Sequence, residues 1–168
     1  MRYTLLFLLS LALGCVGQAP RDSGSAMTPL GVPLPDDALH ALRDGSEFKL
    51  LSIDPSFGGA KPDLEEFHGF GVLGQTAVGD SDRTRLVAAM KLGAEESVGA
   101  IAACFNPRHG LSLIHDGKRY DFLICFECLQ IRWFVEDRRR EVILTSESPK
   151  AVFDATLTNA SVVLADPA

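Results

Sequence analysis

Four side chains set the chemical question: Cys104, His109, Cys125 and Cys128. Cys125-Phe126-Glu127-Cys128 is a C-x-x-C pair, a spacing that serves metal binding, a redox disulfide or plain burial. Upstream lies Cys104-Phe105-Asn106-Pro107-Arg108-His109-Gly110. Pro107 stops a strand and Gly110 permits an unusual backbone angle, so His109 is presented from a loop, where side chains converge on ligands. Three thiolates and one imidazole suit tetrahedral zinc, with sulfurs near about 2.3 Å and nitrogen near about 2.0 Å. The set predicts a structural or sensory metal centre, closed if all four bind and open to water if His109 stands apart. The rival chemistry is thiol–disulfide exchange by Cys125 and Cys128, because outside the cytoplasm a disulfide competes with metal. A third alternative is a non-catalytic envelope interaction protein whose cysteines are buried or statically joined. No His follows Cys128, so covalent c-type haem attachment is not indicated. A Cys–His nucleophilic pair lacks any third orienting residue or oxyanion signature in the sequence.

The elements around these residues decide whether they meet. In a regular strand, residues three apart point to opposite faces, so Cys125 and Cys128 act together only if the backbone turns at Phe126-Glu127. Leu129 to Val135 reads as strand, which argues against a thioredoxin-like strand-to-helix placement. Asp116-Gly117 is a hairpin signal between Leu111–Ile114 and Arg119–Ile124, because Asp-Gly tolerates the positive φ of tight turns. That hairpin carries Pro107–Gly110 and Cys125–Cys128 to one end of the sheet. Elsewhere the pattern predicts a helix over Asp36–Asp44 and a strand over Glu47–Ile53. A strand follows over Phe67–Val78, then a helix capped by Asp80 or Ser81. Val98–Phe105 reads as a buried strand and Glu141–Thr145 as another. A last helix runs from Ser148-Pro149 to about Leu157. Hairpins dominate the second half. The expected fold is α+β, a single domain over residues 36–168 with a mainly antiparallel sheet and two or three short helices.

A chain of 168 residues with 46% hydrophobic and 23% charged residues is globular in composition and fits one domain. Its net charge of −6 makes nucleic acid a poor partner, since phosphates demand concentrated Lys and Arg. Arg138-Arg139-Arg140 follows Glu136-Asp137 and reads as a solvated turn. Gly69-Phe70-Gly71-Val72-Leu73-Gly74 matches a dinucleotide pattern formally. Its glycines fall inside an apolar run, and no helix opens on them, so nucleotide binding is not expected. His40, His68 and His115 read as ordinary polar residues. Arg108 reads as exposed and Glu127 as a solvent-facing strand residue.

The first residues read as an address. Arg2 precedes an apolar run from Leu5 to Leu13, too short to span a bilayer but of signal-peptide length. Ala12-Leu13-Gly14-Cys15 resembles the lipobox of bacterial lipoproteins, although the characters of Ala12 and Leu13 are exchanged relative to that pattern. The resemblance implies removal of residues 1–14, lipid on Cys15, and a membrane anchor in the cell envelope. Secretion or periplasmic release is the alternative, but Pro20 disfavours cleavage after Ala19. Residues 15–35, rich in Gly, Ser, Pro and Ala, read as a flexible tether.

The segments His68–Gly74, Cys104–Gly110 and Asp121–Cys128 together resemble a set of uncharacterised bacterial proteins, several of them predicted lipoproteins. In those, a CF-x-PRHG segment precedes a GK…D…ICFEC segment by a short hairpin. The resemblance covers about residues 47–135. It implies envelope company and brings no activity.

Overall fold

Phe48 and Leu50 alternate with Leu51 and Ile53, and both sets are buried, as expected of a strand covered on its two faces. The computed structural model describes residues 27–56 and 63–166. In chain order it contains α1 (Asp36–Asp44), β1 (Ser46–Ile53), β2 (Glu66–Phe67), β3 (Phe70–Ala77) and α2 (Asp80–Glu95). There follow β4 (His109–His115), β5 (Lys118–Cys125), β6 (Gln130–Val135), β7 (Arg138–Arg139), β8 (Ile143–Leu144) and α3 (Lys150–Asn159). Every strand pairing is antiparallel, in the order β2-β3-β1-β4-β5-β6-β7, with β8 also on β6. The chain is thus an α+β domain built on one mainly antiparallel sheet.

One face of the sheet carries the main core. Leu50, Leu111, Phe122 and Trp133 pair in a row across four strands, and all four are fully buried. Leu42 of α1, Leu86 and Met90 of α2, and Phe153 and Leu157 of α3 close over this face. Each such side chain contributes about 1.5–3 kcal/mol by leaving water. The opposite face holds a smaller cluster of Leu51, Ile53, Phe70, Val72 and Leu123. Gly110 lies in that face between Leu51 and Leu123. A Cβ there would stand 3.1 Å from the ring of Phe67, so the bare backbone seats that ring.

The hairpin at Asp116-Gly117 forms as its sequence indicates. Both residues have positive φ, 49° and 71°, and His115 pairs with Lys118 across the turn. A second turn at 126–129 divides the strand material of Arg119–Val135 into β5 and β6.

Other expectations are corrected. The apolar run Phe67–Val78 is a hairpin, not one strand, because His68 and Gly69 both take positive φ. Val98–Phe105 forms no strand: Gly99 turns at φ 80° and Ile101 is exposed. Glu141–Thr145 narrows to the two residues of β8. Ser148 does not cap α3, since its hydroxyl donates to Glu96 at 2.6 Å. Gly79, not Asp80 or Ser81, occupies the cap position of α2. The stretch expected as tether through residue 35 is docked from Leu30 onward. Leu30 N–H donates to the Ser97 carbonyl at 2.7 Å, and Leu34 is buried. Cys15 and residues 1–14 lie outside the described residues.

Candidate functional site

The two hairpins β4–β5 and β5–β6 bring the sequence's chemistry to one end of the sheet. His109 opens β4 opposite Ile124, and the Arg108 N–H donates to the Ile124 carbonyl at 3.2 Å. Cys125 ends β5, and the chain turns at once through Phe126, Glu127 and Cys128. This turn makes the C-x-x-C pair contiguous: Cys125 and Cys128 are joined by a disulfide, with Cα atoms 5.1 Å apart. Both residues are only 2% exposed. Backbone amides address both sulfurs. Cys128 N–H donates to Cys125 Sγ at 3.1 Å, and Asn106 N–H to Cys128 Sγ at 3.3 Å.

His109 is buried between the turn that carries the sulfur pair and α3. Its Nε2–H donates to Asp154 Oδ1 at 2.8 Å, and Lys150 Nζ donates to Asp154 Oδ2 at 2.7 Å. The rings of Phe126 and Phe153 lie 5.4 Å and 5.6 Å from the imidazole. His109 Nδ1 and Ser52 Oγ are buried without a hydrogen-bond partner among the described residues. They belong to directly paired residues of β4 and β1. Cys104 is exposed, with a free thiol. The structure therefore joins Cys125 to Cys128, commits one face of His109 to Asp154, and leaves Cys104 in solvent. A disulfide and a pair of thiolate ligands are alternative fates of the same two sulfurs, and in this structure the two are joined.

Arg108 departs from its expected exposure. Its side chain is 11% exposed, pairs with the Glu127 carboxylate through Nη1, and donates from Nε to the Asp166 carbonyl at 2.7 Å. Glu127 sits in the turn, not on a strand, and serves as that partner. A cavity of about 360 Å³ lies beside this group, lined by Arg108, His109, Lys150, Asp154 and the segment Leu164–Asp166. Cys125 lines a small adjoining crevice with Arg108, His109 and Lys150.

The hydrogen bond from His109, reinforced by Lys150, holds the Asp154 carboxyl down to about 2, against an ordinary 3.8. A depressed folded-state value means the stabilisation is complete above pH 3.8 and is lost as pH falls through about 2. Because the carboxylate is partly solvated, the share is about 1 kcal/mol. Urea unfolding at pH 7 and pH 2 is expected to show a fall in stability smaller by about that amount in Asp154→Asn than in wild type. An identical fall in both proteins would exclude this carboxylate from the acid response.

A second cluster went unread in the sequence. Asp121, buried in β5, accepts hydrogen bonds from Ser112 Oγ at 2.7 Å and Arg119 Nε at 3.1 Å, and its Oδ2 lies 2.8 Å from His68 Nε2. His68 also stacks on Phe134, ring centres 3.9 Å apart. The available signal was the cross-strand placement of Ser112 and Asp121 once the Asp116-Gly117 hairpin is drawn. His68, Asp121 and Asp137 hold ligand atoms within 4.8 Å of one another, a geometry open to a cation. Arg119 already donates to both carboxylates, so a metal there would have to displace a fixed guanidinium.

Among the described residues no helix is long and apolar enough to cross a membrane. Comparison with protein-family models, with curated proteins and with solved structures finds no match.

Proposed function

We propose that the chain is a thiol–disulfide redox domain, exported and held at the membrane of the cell envelope by lipid on Cys15. Cys125 and Cys128 cycle between dithiol and disulfide. The observation that carries this reading is the bond between the two sulfurs at a turn where Cys125 shares a crevice with Arg108, His109 and Lys150. The Cys128 amide on Cys125 Sγ and the Asn106 amide on Cys128 Sγ favour a thiolate, the species that makes and breaks disulfides, while Arg108 and Lys150 in the crevice are paired with Glu127 and Asp154. A strand, β6, follows the turn directly, so these amides stand where a helix N-terminus would otherwise serve. Reduction consumes one external dithiol, which leaves as its own disulfide while two thiols appear on the protein.

The test uses the full chain recovered from cells and equilibrated in mixtures of reduced and oxidised dithiothreitol. Thiols are trapped by alkylation, and the fold is followed by circular dichroism. Cys125 and Cys128 are expected to interconvert as a pair with the fold intact, in a protein found in the membrane fraction and acylated on Cys15. A bond that opens only in denaturant would overturn the redox reading in favour of a static staple. A soluble, unacylated product would overturn the tether.

A further inference from the structure

We propose that the groove between α1 and α2 is a binding site for a small phosphate monoester with an apolar arm, taken up from solution. The site does not rest on the redox reading. The groove holds about 560 Å³, within the range of small-molecule sites. Arg43 of α1 and Arg83 and Lys91 of α2 line it, with Glu95 as the carboxylate. Among the described residues no ion pair involves any of these four. The cations beside His109 differ, since Arg108 and Lys150 are held by Glu127 and Asp154. Arg83 is fixed in place: its Nε donates to the Leu42 carbonyl at 2.8 Å, and its guanidinium stands 5.1 Å from the ring centre of Phe48. Its Nη2 is buried without a hydrogen-bond partner among the described residues, so part of this cation is dry with no counter-charge. A bound anion offsets that cost. Arg43 and Arg83 also serve the carbonyl end of α1. Lys91 lies outside the last turn of α2 and serves neither a helix end nor a carboxylate.

The groove divides into a place for a head and a place for an arm. Three cations against one carboxylate leave a local charge of +2 in a chain of net −6. A phosphate monoester carries about −1.5 to −2 at pH 7 and matches that charge. The planar fork of arginine meets phosphate oxygens in pairs. Beyond the cations the floor is apolar, made by Val87, Ala88 and Leu92, the last 49% exposed. A second hollow of about 330 Å³ shares Ala88 and Leu92 and runs on to Ala89, Pro149 and Val152. Arg85 at its rim is already paired with Asp82 at 2.9 Å. The phosphate thus sits among Arg43, Arg83 and Lys91, and the arm lies along Leu92 toward α3.

The test titrates the full chain calorimetrically with hexyl phosphate and, separately, with inorganic phosphate, hexanol and hexanoate. Hexyl phosphate is expected to bind most tightly. Lys91→Gln and Arg43→Gln, neither of them at a buried position, are each expected to weaken it about fivefold, with the fold unchanged by circular dichroism. Leu92→Ser is expected to weaken hexyl phosphate and leave inorganic phosphate unaffected. Arg138→Gln, on β7, is expected to change nothing. No binding of hexyl phosphate, or equal affinity in wild type and both charge variants, overturns the site. Inorganic phosphate as tight as hexyl phosphate overturns the apolar arm, and hexanol as tight overturns the anionic head. Hexanoate as tight overturns the choice of phosphate. Displacement of hexyl phosphate by vesicles of phosphatidic acid, and not by vesicles of phosphatidylcholine, overturns the free molecule in favour of a bilayer lipid.

Discussion

Replacing Phe153 by alanine is expected to lower the unfolding free energy by about 4 kcal/mol. Phe153 is fully buried on α3 and packs edge-on against Phe126, 5.2 Å between ring centres, and against His109 at 5.6 Å. Truncation removes the ring's transfer energy and leaves a cavity where helix, turn and imidazole meet. Its neighbour Asp154 would lose the fixed helix that aims it at His109. Urea denaturation of wild type and variant at neutral pH measures the difference. A loss below about 1.5 kcal/mol would show that α3 does not close the sheet over His109.

The second large effect is expected at Asp121, where Asp121→Ala should cost about 3 kcal/mol. The carboxylate is the common acceptor for Ser112, His68 and Arg119. Without it, a hydroxyl and an imidazole are left in a half-dry face of the sheet, and the Arg119 guanidinium keeps Asp137. Asp121→Asn retains shape and part of the hydrogen bonding, and should lose about half as much. The measurement is again chemical denaturation, now with both variants. Alanine and wild type of equal stability would mean that the cluster contributes nothing to holding β2–β3 against β5.

Much of the frame was legible because it rests on local signals. Asp116-Gly117 defined a hairpin, and from it follows the convergence of His109 with the Cys125–Cys128 turn. The helices at Asp36 and Asp80 follow from apolar spacing. What was not legible depends on distance in the chain. Asp154 reaches His109 only because α3 returns across the sheet, and nothing near residue 154 announces that. The Lys150–Asp154 spacing marked a helical pair but not its target. His68 looked ordinary because its partner Asp121 is fifty-three residues away. Val98–Phe105 looked like a strand because it is apolar, yet a strand needs a free sheet edge to pair with. The Ala102 and Asn106 amides instead donate to Cys128, and the Ala102 carbonyl accepts from Gln130 Nε2.

The rims of the sheet have a consequence for how copies of the domain tolerate one another. One rim ends in Glu66–Phe67, two residues long. At the other, β7 and β8 each cover a part of β6, and β7 is two exposed arginines reached through Glu136 and Asp137, both at positive φ. The β6 rim offers no long, flat ladder of unpaired amides and carbonyls to a strand from a neighbour, whereas β2 covers only Phe70 and Gly71 of the eight-residue β3. Crowding in the plane of a surface multiplies encounters between identical molecules. The β6 rim meets copies with charge and short, twisted termini, and the stretch of β3 beyond Gly71 is the edge at which a collision between copies would pair strands.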